Sequence, residues 1–201
     1  MENQFRDAAL LLVDIQNDFC PGGALAVSEG DHIVPVVNRL MPEFSFVVSG
    51  RDWHPANHIS FKEQGGPWPP HCVQSTRGAE LHPALDSSQI DAHFLKATSE
   101  GEDAYSEFEG TDESGRSLDE ALKDRDVKRL YVTGLATDYC VKATVLDALK
   151  NGYAVYVITD AVRAVNVEPD DGANALEEMK RNGAHLVTSR DMLKYAEETC
   201  G

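Results

Sequence analysis

The chain is 201 residues long, enough to bury a proper core, and is most simply read as one domain spanning residues 1–201. Its 34 acidic residues against 18 basic ones give a formal net charge of −16, which argues against nucleic acid and anionic membranes as partners, because phosphate binding needs basic surface. With no apolar run near membrane-spanning length and no signal-peptide pattern, a soluble, cytoplasmic protein is expected, its cysteines Cys20, Cys72, Cys140 and Cys200 being free thiols.

Ala8 to Val13 is a continuous apolar run ending in Asp14, which predicts a strand buried on both faces, as in parallel sheets covered by helices. The irregular stretch Gln16 to Cys20 and a Pro21-Gly22-Gly23 turn follow, so Asp14 stands where a strand gives way to a loop. Open α/β sheets bind ligands along that edge. A helix through Ile33, Val37 and Leu40 comes next, then a strand from Phe44 to Ser49 leading into Arg51-Asp52-Trp53-His54-Pro55-Ala56-Asn57-His58. Residues 55–77 are rich in Pro, Gly, Gln and His and lack periodicity. A loop of this length inside a compact domain is usually functional or disordered, and its aromatic and His content favours function.

A short strand, Ala92 to Leu95, leads to Lys96 and a polar loop, Ala97 to Gly115, whose acidic stretch Glu100 to Glu113 reads as solvated. Ser117-Leu118-Asp119-Glu120 opens a capped helix. Leu130 to Thr133 reads as a buried strand broken by Gly134, and from about Asp138 the apolar residues Val141, Val145, Leu146 and Leu149 recur at helical spacing. Further on come a strand from Ala154 to Thr159, a helix from Glu168 to Asn182 closed by Gly183, a strand from Ala184 to Val187, and a last helix capped by Ser189 that carries Met192, Leu193 and Ala196. This alternation predicts an α/β fold: a doubly wound, mainly parallel six-stranded sheet with helices on both faces.

Cys140 therefore falls in the first turn of a helix that follows directly on a strand, where free N–H groups and the helix dipole favour a thiolate. Taken singly, Cys140 reads as a small core residue, Asp14 as a loop-capping carboxylate and Lys96 as a surface cation. Placed together at three strand ends they make chemical sense: a carboxylate takes the thiol proton, an ammonium stabilises both charges, and the thiolate attacks a carbonyl carbon. Asp52, His54 and His71 form a second cluster. An Asp-x-His pair at a strand end faces one way, and one carboxylate with two imidazoles suits zinc, iron or manganese, with positions left for water or substrate. His58 is a further candidate ligand or a neighbour of the shell, while Cys72, adjacent to His71, should face away. Phe19, Trp53, Trp68 and Tyr105 could wall a flat substrate.

Several segments in this order resemble the isochorismatase-like cysteine hydrolases, and within them the nicotinamidases (pyrazinamidases): Val13-Asp14-Ile15-Gln16-Asn17-Asp18-Phe19, Asp52-Trp53-His54-Pro55, Pro69-Pro70-His71-Cys72, Tyr105-Ser106-x-Phe108 and Gly134-Leu135-Ala136-Thr137-Asp138-Tyr139-Cys140-Val141. The resemblance implies a catalytic triad of Asp14, Lys96 and Cys140, and an oxyanion hole from the N–H groups of Ala136 and Cys140 after a cis peptide at Leu135–Ala136. It also implies a pyridine pocket lined by Phe19, Trp68 and Tyr105, and one divalent metal ion, zinc first and iron or manganese as alternatives, on Asp52, His54 and His71, with His58 a further candidate. The implied activity is hydrolysis of the small molecule nicotinamide to nicotinate and ammonia through a cysteine thioester, in NAD salvage. The other readings are another isochorismatase-like hydrolase, a carbamoyl-group amidase, or a non-catalytic metal-binding module on this fold. Whether the chain works alone or as a homo-oligomer stays open.

Overall fold

Strand β1 (Ala8–Val13) is buried along its whole length, and its side chains alternate between two cores. Leu10 and Leu12 join a cluster with Val34, Val37 and Leu40 of helix α1 (Val34–Leu40). Ala9, Leu11 and Val13 join a second cluster, built with Leu118 and Leu122 of α2 (Leu118–Asp124), Val145 and Ala148 of α3 (Lys142–Lys150), and Ala175 and Met179 of α4 (Asp171–Arg181). Because a strand's side chains alternate faces, helices on both sides leave no polar position in β1, which is why its sequence is a continuous apolar run.

In this computed structural model, which describes residues 5–193, β1 is flanked by β2 (Val47–Asp52) and β4 (Arg129–Leu135). Beyond them lie β3 (Ala92–Lys96) on one side, and β5 (Ala154–Arg163) and β6 (His185–Val187) on the other. The six-stranded sheet runs β3-β2-β1-β4-β5-β6 and every pair is parallel. The winding direction reverses between β1 and β4, so the loops leaving these two strands part and open a crevice at their carboxyl ends.

Several element ends differ from the expected ones. The second strand starts at Val47 and runs on through Asp52, because Arg51 and Asp52 still pair with Leu95 and Lys96 of β3. Gly134 does not break the fourth strand, which continues to Leu135. There Gly134 adopts φ 118°, and a Cβ would collide with the Val13 carbonyl oxygen, so glycine lets the two backbones pass at the crevice. β5 extends past Thr159 to Arg163 through a register shift against β4. The α4 helix begins at Asp171 rather than Glu168. Residues 189–193 are helical, but Thr188 is the cap: its Oγ1 accepts from the Asp191 N–H, whereas Ser189 is held by the Asp160 carboxylate. Ala196 and Cys200 lie outside the described residues. The expected cap of α2 is a full capping box between Ser117 and Glu120.

Candidate active site

Three strand ends deliver one charged cluster. Asp14 follows β1 in a left-handed turn (φ 47°), Lys96 ends β3, and Cys140 lies on a π-helical turn, Thr137–Val141, that joins β4 to α3. The Leu135–Ala136 peptide is cis, and the Ala136 carbonyl oxygen accepts from both the Tyr139 and Val141 N–H groups at 3.1 Å, which folds the turn back. Lys96 is 1% exposed and donates to both oxygens of Asp14 at 2.6 Å. Its Nζ also stands 2.9 Å from Asp52 Oδ1, an ion-pair contact outside hydrogen-bonding geometry. The Cys140 sulfur and a carboxylate oxygen from each of Asp14 and Asp52 lie within 4.8 Å of one another.

Burial sets the protonation states here. It pushes Asp14 up to about 6, even though the Lys96 ammonium pulls the other way. Burial likewise raises the Cys140 thiol well above its ordinary value, opposed chiefly by Lys96. For Lys96 burial favours the neutral amine, but Asp14, Asp52 and Glu107 outweigh it and hold the ammonium well above its usual range. A resting thiol beside a carboxylate that titrates near neutrality is suited to proton transfer, since a general base works best when its pKa lies near the working pH.

Glu107 corrects the sequence reading of residues 100–113 as a solvated stretch. It is fully buried on a 3₁₀ turn, Glu107–Glu109, and its Oε1 accepts from Lys96 at 3.0 Å. The turn is cut out of the acidic loop by a capping box between Ser106 and Glu109. No periodicity marks so short an element, so the inward residue could not be told from its solvated neighbours.

Asp52, His54 and His71 meet as expected, their ligand atoms lying within 4.8 Å of one another. His54 Nδ1 donates to the His71 carbonyl oxygen at 3.0 Å and His71 Nδ1 to the Pro69 carbonyl oxygen at 2.8 Å. A carbonyl only accepts, so in the neutral rings both protons sit on Nδ1 and both Nε2 lone pairs are bare. Each Nε2 is 3.9 Å from Asp52 Oδ2, too far for a hydrogen bond and near the spacing of about 3.4 Å between donors around a tetrahedral ion. Burial pushes His54 down to about 4, which keeps the ring neutral. Asp52 Oδ1 is buried without a hydrogen-bond donor. Three converging acceptors with no donor among them fit a divalent cation.

His58 stands beside this cluster, its ring 4.4 Å from that of His54, yet both its nitrogens are engaged. Nε2 donates to the Glu102 carbonyl oxygen at 2.9 Å, and Nδ1 accepts from Ser60 Oγ at 2.7 Å. Cys72 is buried and takes no part in the ligand cluster. Gln16, passed over in the sequence, steadies Asp52: its amide accepts from the Asp52 N–H at 2.9 Å and donates to the Asp52 carbonyl oxygen at 2.8 Å.

A cleft joins the two clusters. Phe19, Trp68, Tyr105 and Tyr139 wall it together with Asp52, His71, Ala136 and Cys140. Trp68 Nε1 donates to the Tyr105 hydroxyl at 3.0 Å, and the Trp68 and Tyr139 rings meet edge to face at 5.2 Å. Trp53 is not part of this wall; it packs against the α1-side core with Arg51 over its ring. Tyr139 was missed because in the sequence it reads only as the neighbour of Cys140. A wider cavity of about 500 Å³ opens between residues 17–23 and 77–83, but its polar rim carries none of these reactive groups.

Residues 8–191 match the family model for the isochorismatase domain. This chain belongs to the isochorismatase family. Among its curated relatives, the nicotinamidase of Escherichia coli (strain K12) is 49% identical over 216 residues, covering 96% of this chain and 98% of the relative. Among solved structures, the pyrazinamidase of Pyrococcus horikoshii in complex with zinc superposes with a TM-score of 0.82 at 50% identity, covering 90% of this chain and 99% of that one. The PnC1 protein of L. infantum in complex with nicotinate does so with a TM-score of 0.85 at 37% identity, covering 92% and 94%. The six-stranded parallel sheet of this chain is thus the fold of those family members.

Proposed function

We propose that the chain is a nicotinamide amidohydrolase with Cys140 as nucleophile, Asp14 as acid–base and Lys96 as their shared counter-charge. The observation that carries this reading is that the Asp14–Lys96–Cys140 cluster and the Asp52–His54–His71 cluster meet at Asp52 and both reach one aromatic cleft, through Cys140 and through Asp52 and His71. The aromatic lining suits a flat ring with its substituent toward the thiol, and a relative sharing 49% of residues over nearly the whole chain is a nicotinamidase.

Asp14 takes the Cys140 proton and the thiolate adds to the carboxamide carbon, its oxygen being held by the N–H groups of Ala136 and Cys140. Asp14 returns the proton to the leaving nitrogen, ammonia departs, and a thioester remains. The Asp14 carboxylate then draws a proton from water, whose oxygen attacks the thioester carbon. Nicotinate leaves and the thiol is restored, so one water is consumed for each amide cleaved. A divalent ion on Asp52, His54 and His71, zinc before iron or manganese, would supply a Lewis-acid partner for the ring nitrogen. Phe19, Trp68, Tyr105 and Tyr139 restrict the ring to the plane in which its carboxamide reaches Cys140.

Ammonia release from nicotinamide tests the reading. The wild-type chain should release it and Cys140→Ala should not, while keeping its melting temperature, since alanine is benign in a helical turn. Substantial release by Cys140→Ala would sink the assignment of the nucleophile.

A further inference from the structure

Lys96 has a partner that the reaction does not use. Its N–H groups are directed at the two Asp14 oxygens and at Glu107 Oε1, while Asp52 Oδ1 makes only the ion-pair contact. Glu107 is itself held from outside the cluster: its N–H donates to Thr144 Oγ1 at 3.0 Å, and Thr144 lies on α3 one turn beyond Cys140. Its carboxyl rests on β2 at Gly50, where any Cβ would collide with it. The Glu107 carboxyl in this position therefore requires a glycine at position 50.

We propose that Glu107 is a positioning residue of the catalytic centre, taking the Lys96 N–H that Asp14 cannot accept and thereby aiming the ammonium at Asp14 and Cys140. This rests on the triad reading above. Without Glu107 one N–H of a fully buried ammonium would lack an acceptor, and Lys96 would swing toward Asp52 and away from the thiol. Burial, followed by the neighbouring Asp14 charge, lifts the Glu107 carboxyl well above the usual carboxylate range. Its part in the contact is to accept through Oε1, a role a glutamine amide oxygen can copy. The α3 anchor matters as well: one element carries both the nucleophile and the support of the lysine that faces it.

The test compares wild type, Glu107→Ala, Glu107→Gln, Gly50→Ala and the double variant Gly50→Ala/Glu107→Ala, all with bound metal. Steady-state kinetics on nicotinamide and the rate of Cys140 alkylation by iodoacetamide, followed by mass spectrometry, are the readouts. Glu107→Ala should lower kcat about tenfold or more through misplacement of Lys96, leave KM within about twofold, and slow Cys140 alkylation in parallel. Glu107→Gln should stay within about threefold of wild type, because the acceptor is retained. Gly50→Ala should lower kcat in the wild-type background and have no further effect once Glu107 is alanine, the coupling expected of two residues in contact. Wild-type kcat and alkylation in Glu107→Ala would overturn the proposal, as would Glu107→Gln falling as low as Glu107→Ala. If Glu107→Ala does not fold, Glu107→Gln against Gly50→Ala decides on the same terms. Failure of the triad itself would show elsewhere, as turnover by Cys140→Ala.

Discussion

The two halves of the site are built on opposite electrostatic plans. Around Lys96, Asp14 and Glu107 are buried together with the cation that satisfies them, with hydrogen bonds of 2.6 and 3.0 Å. Around His54 and His71 the same depth of burial collects only acceptors, with 3.9 Å gaps between Asp52 and each imidazole. The first cluster has its cation within the chain, whereas the second, in the reading proposed above, takes a cation from solution. Asp52 belongs to both, lying against Lys96 through Oδ1 and facing the histidines through Oδ2. The difference teaches where each half is vulnerable: one to mutation of its internal cation, the other to loss of its ion.

The largest effect should come from removing the internal cation. Lys96→Met leaves Asp14 and Asp52 buried without a counter-charge and Glu107 Oε1 without its donor, and breaking such a cluster costs about 3–5 kcal/mol. Turnover should vanish and the denaturation midpoint should fall, while metal content measured by elemental analysis stays at the wild-type level. A Lys96→Met chain as stable as wild type would break the comparison on this side.

Stripping the ion should be milder for the fold and nearly as severe for activity. A chelator should abolish nicotinamide hydrolysis yet leave the chain folded, because neutral imidazoles and one carboxylate paired to Lys96 tolerate an empty site. Restoring zinc at about a thousandfold over its dissociation constant should add roughly 4 kcal/mol of stability, visible as a higher melting temperature. His71→Ala should lose both the metal and this response. Identical melting curves with and without ion would mean that the cluster holds no cation.

The plan of the sheet was legible in the chain because period-2 burial against two helical layers leaves long apolar runs, as in Ala8–Val13. Strand ends were less so. Arg51 and Asp52 look like loop residues, and only pairing to β3 shows that β2 continues through them. The site divides the same way. Asp14, Lys96 and Cys140 were readable at strand ends, and Asp52, His54 and His71 by ligand chemistry, with the family resemblance tying them together. Glu107 was not, since one buried carboxylate inside an acidic loop differs from its neighbours only in three dimensions. Tyr139 and Trp53 exchanged roles for a related reason: an aromatic residue announces burial, but not against which surface.

A smaller effect should separate ring positioning from carbonyl activation. If the ion's place is beside the ring nitrogen, benzamide, which lacks that nitrogen, can slide between Phe19, Trp68, Tyr105 and Tyr139. A misplacement of about 1 Å costs on the order of a hundredfold in rate. The comparison is kcat/KM for benzamide against nicotinamide on metal-loaded enzyme. Equal values would remove the ring nitrogen from the account and move the ion's work to the carbonyl.

The smallest effect should fall on His58, and it sharpens the border of the acceptor cluster. Its Nε2–H is spent on the Glu102 carbonyl oxygen and its Nδ1 lone pair on Ser60, so either nitrogen must give up a hydrogen bond before it can face an ion. Its structural work is to brace His54 from 4.4 Å and to tie residues 58–60 to the loop at Glu102. His58→Phe keeps the ring's bulk but leaves Glu102 and Ser60 without their partners, at a cost of about 1–3 kcal/mol. Stability should therefore drop by that amount, while zinc stoichiometry is unchanged and kcat falls only a fewfold. Loss of metal from His58→Phe, with the fold intact, would instead place His58 among the ligands. It would also mean that the loop at Glu102 moves when the ion binds, because the Glu102 carbonyl must release Nε2 before that nitrogen can turn to a metal.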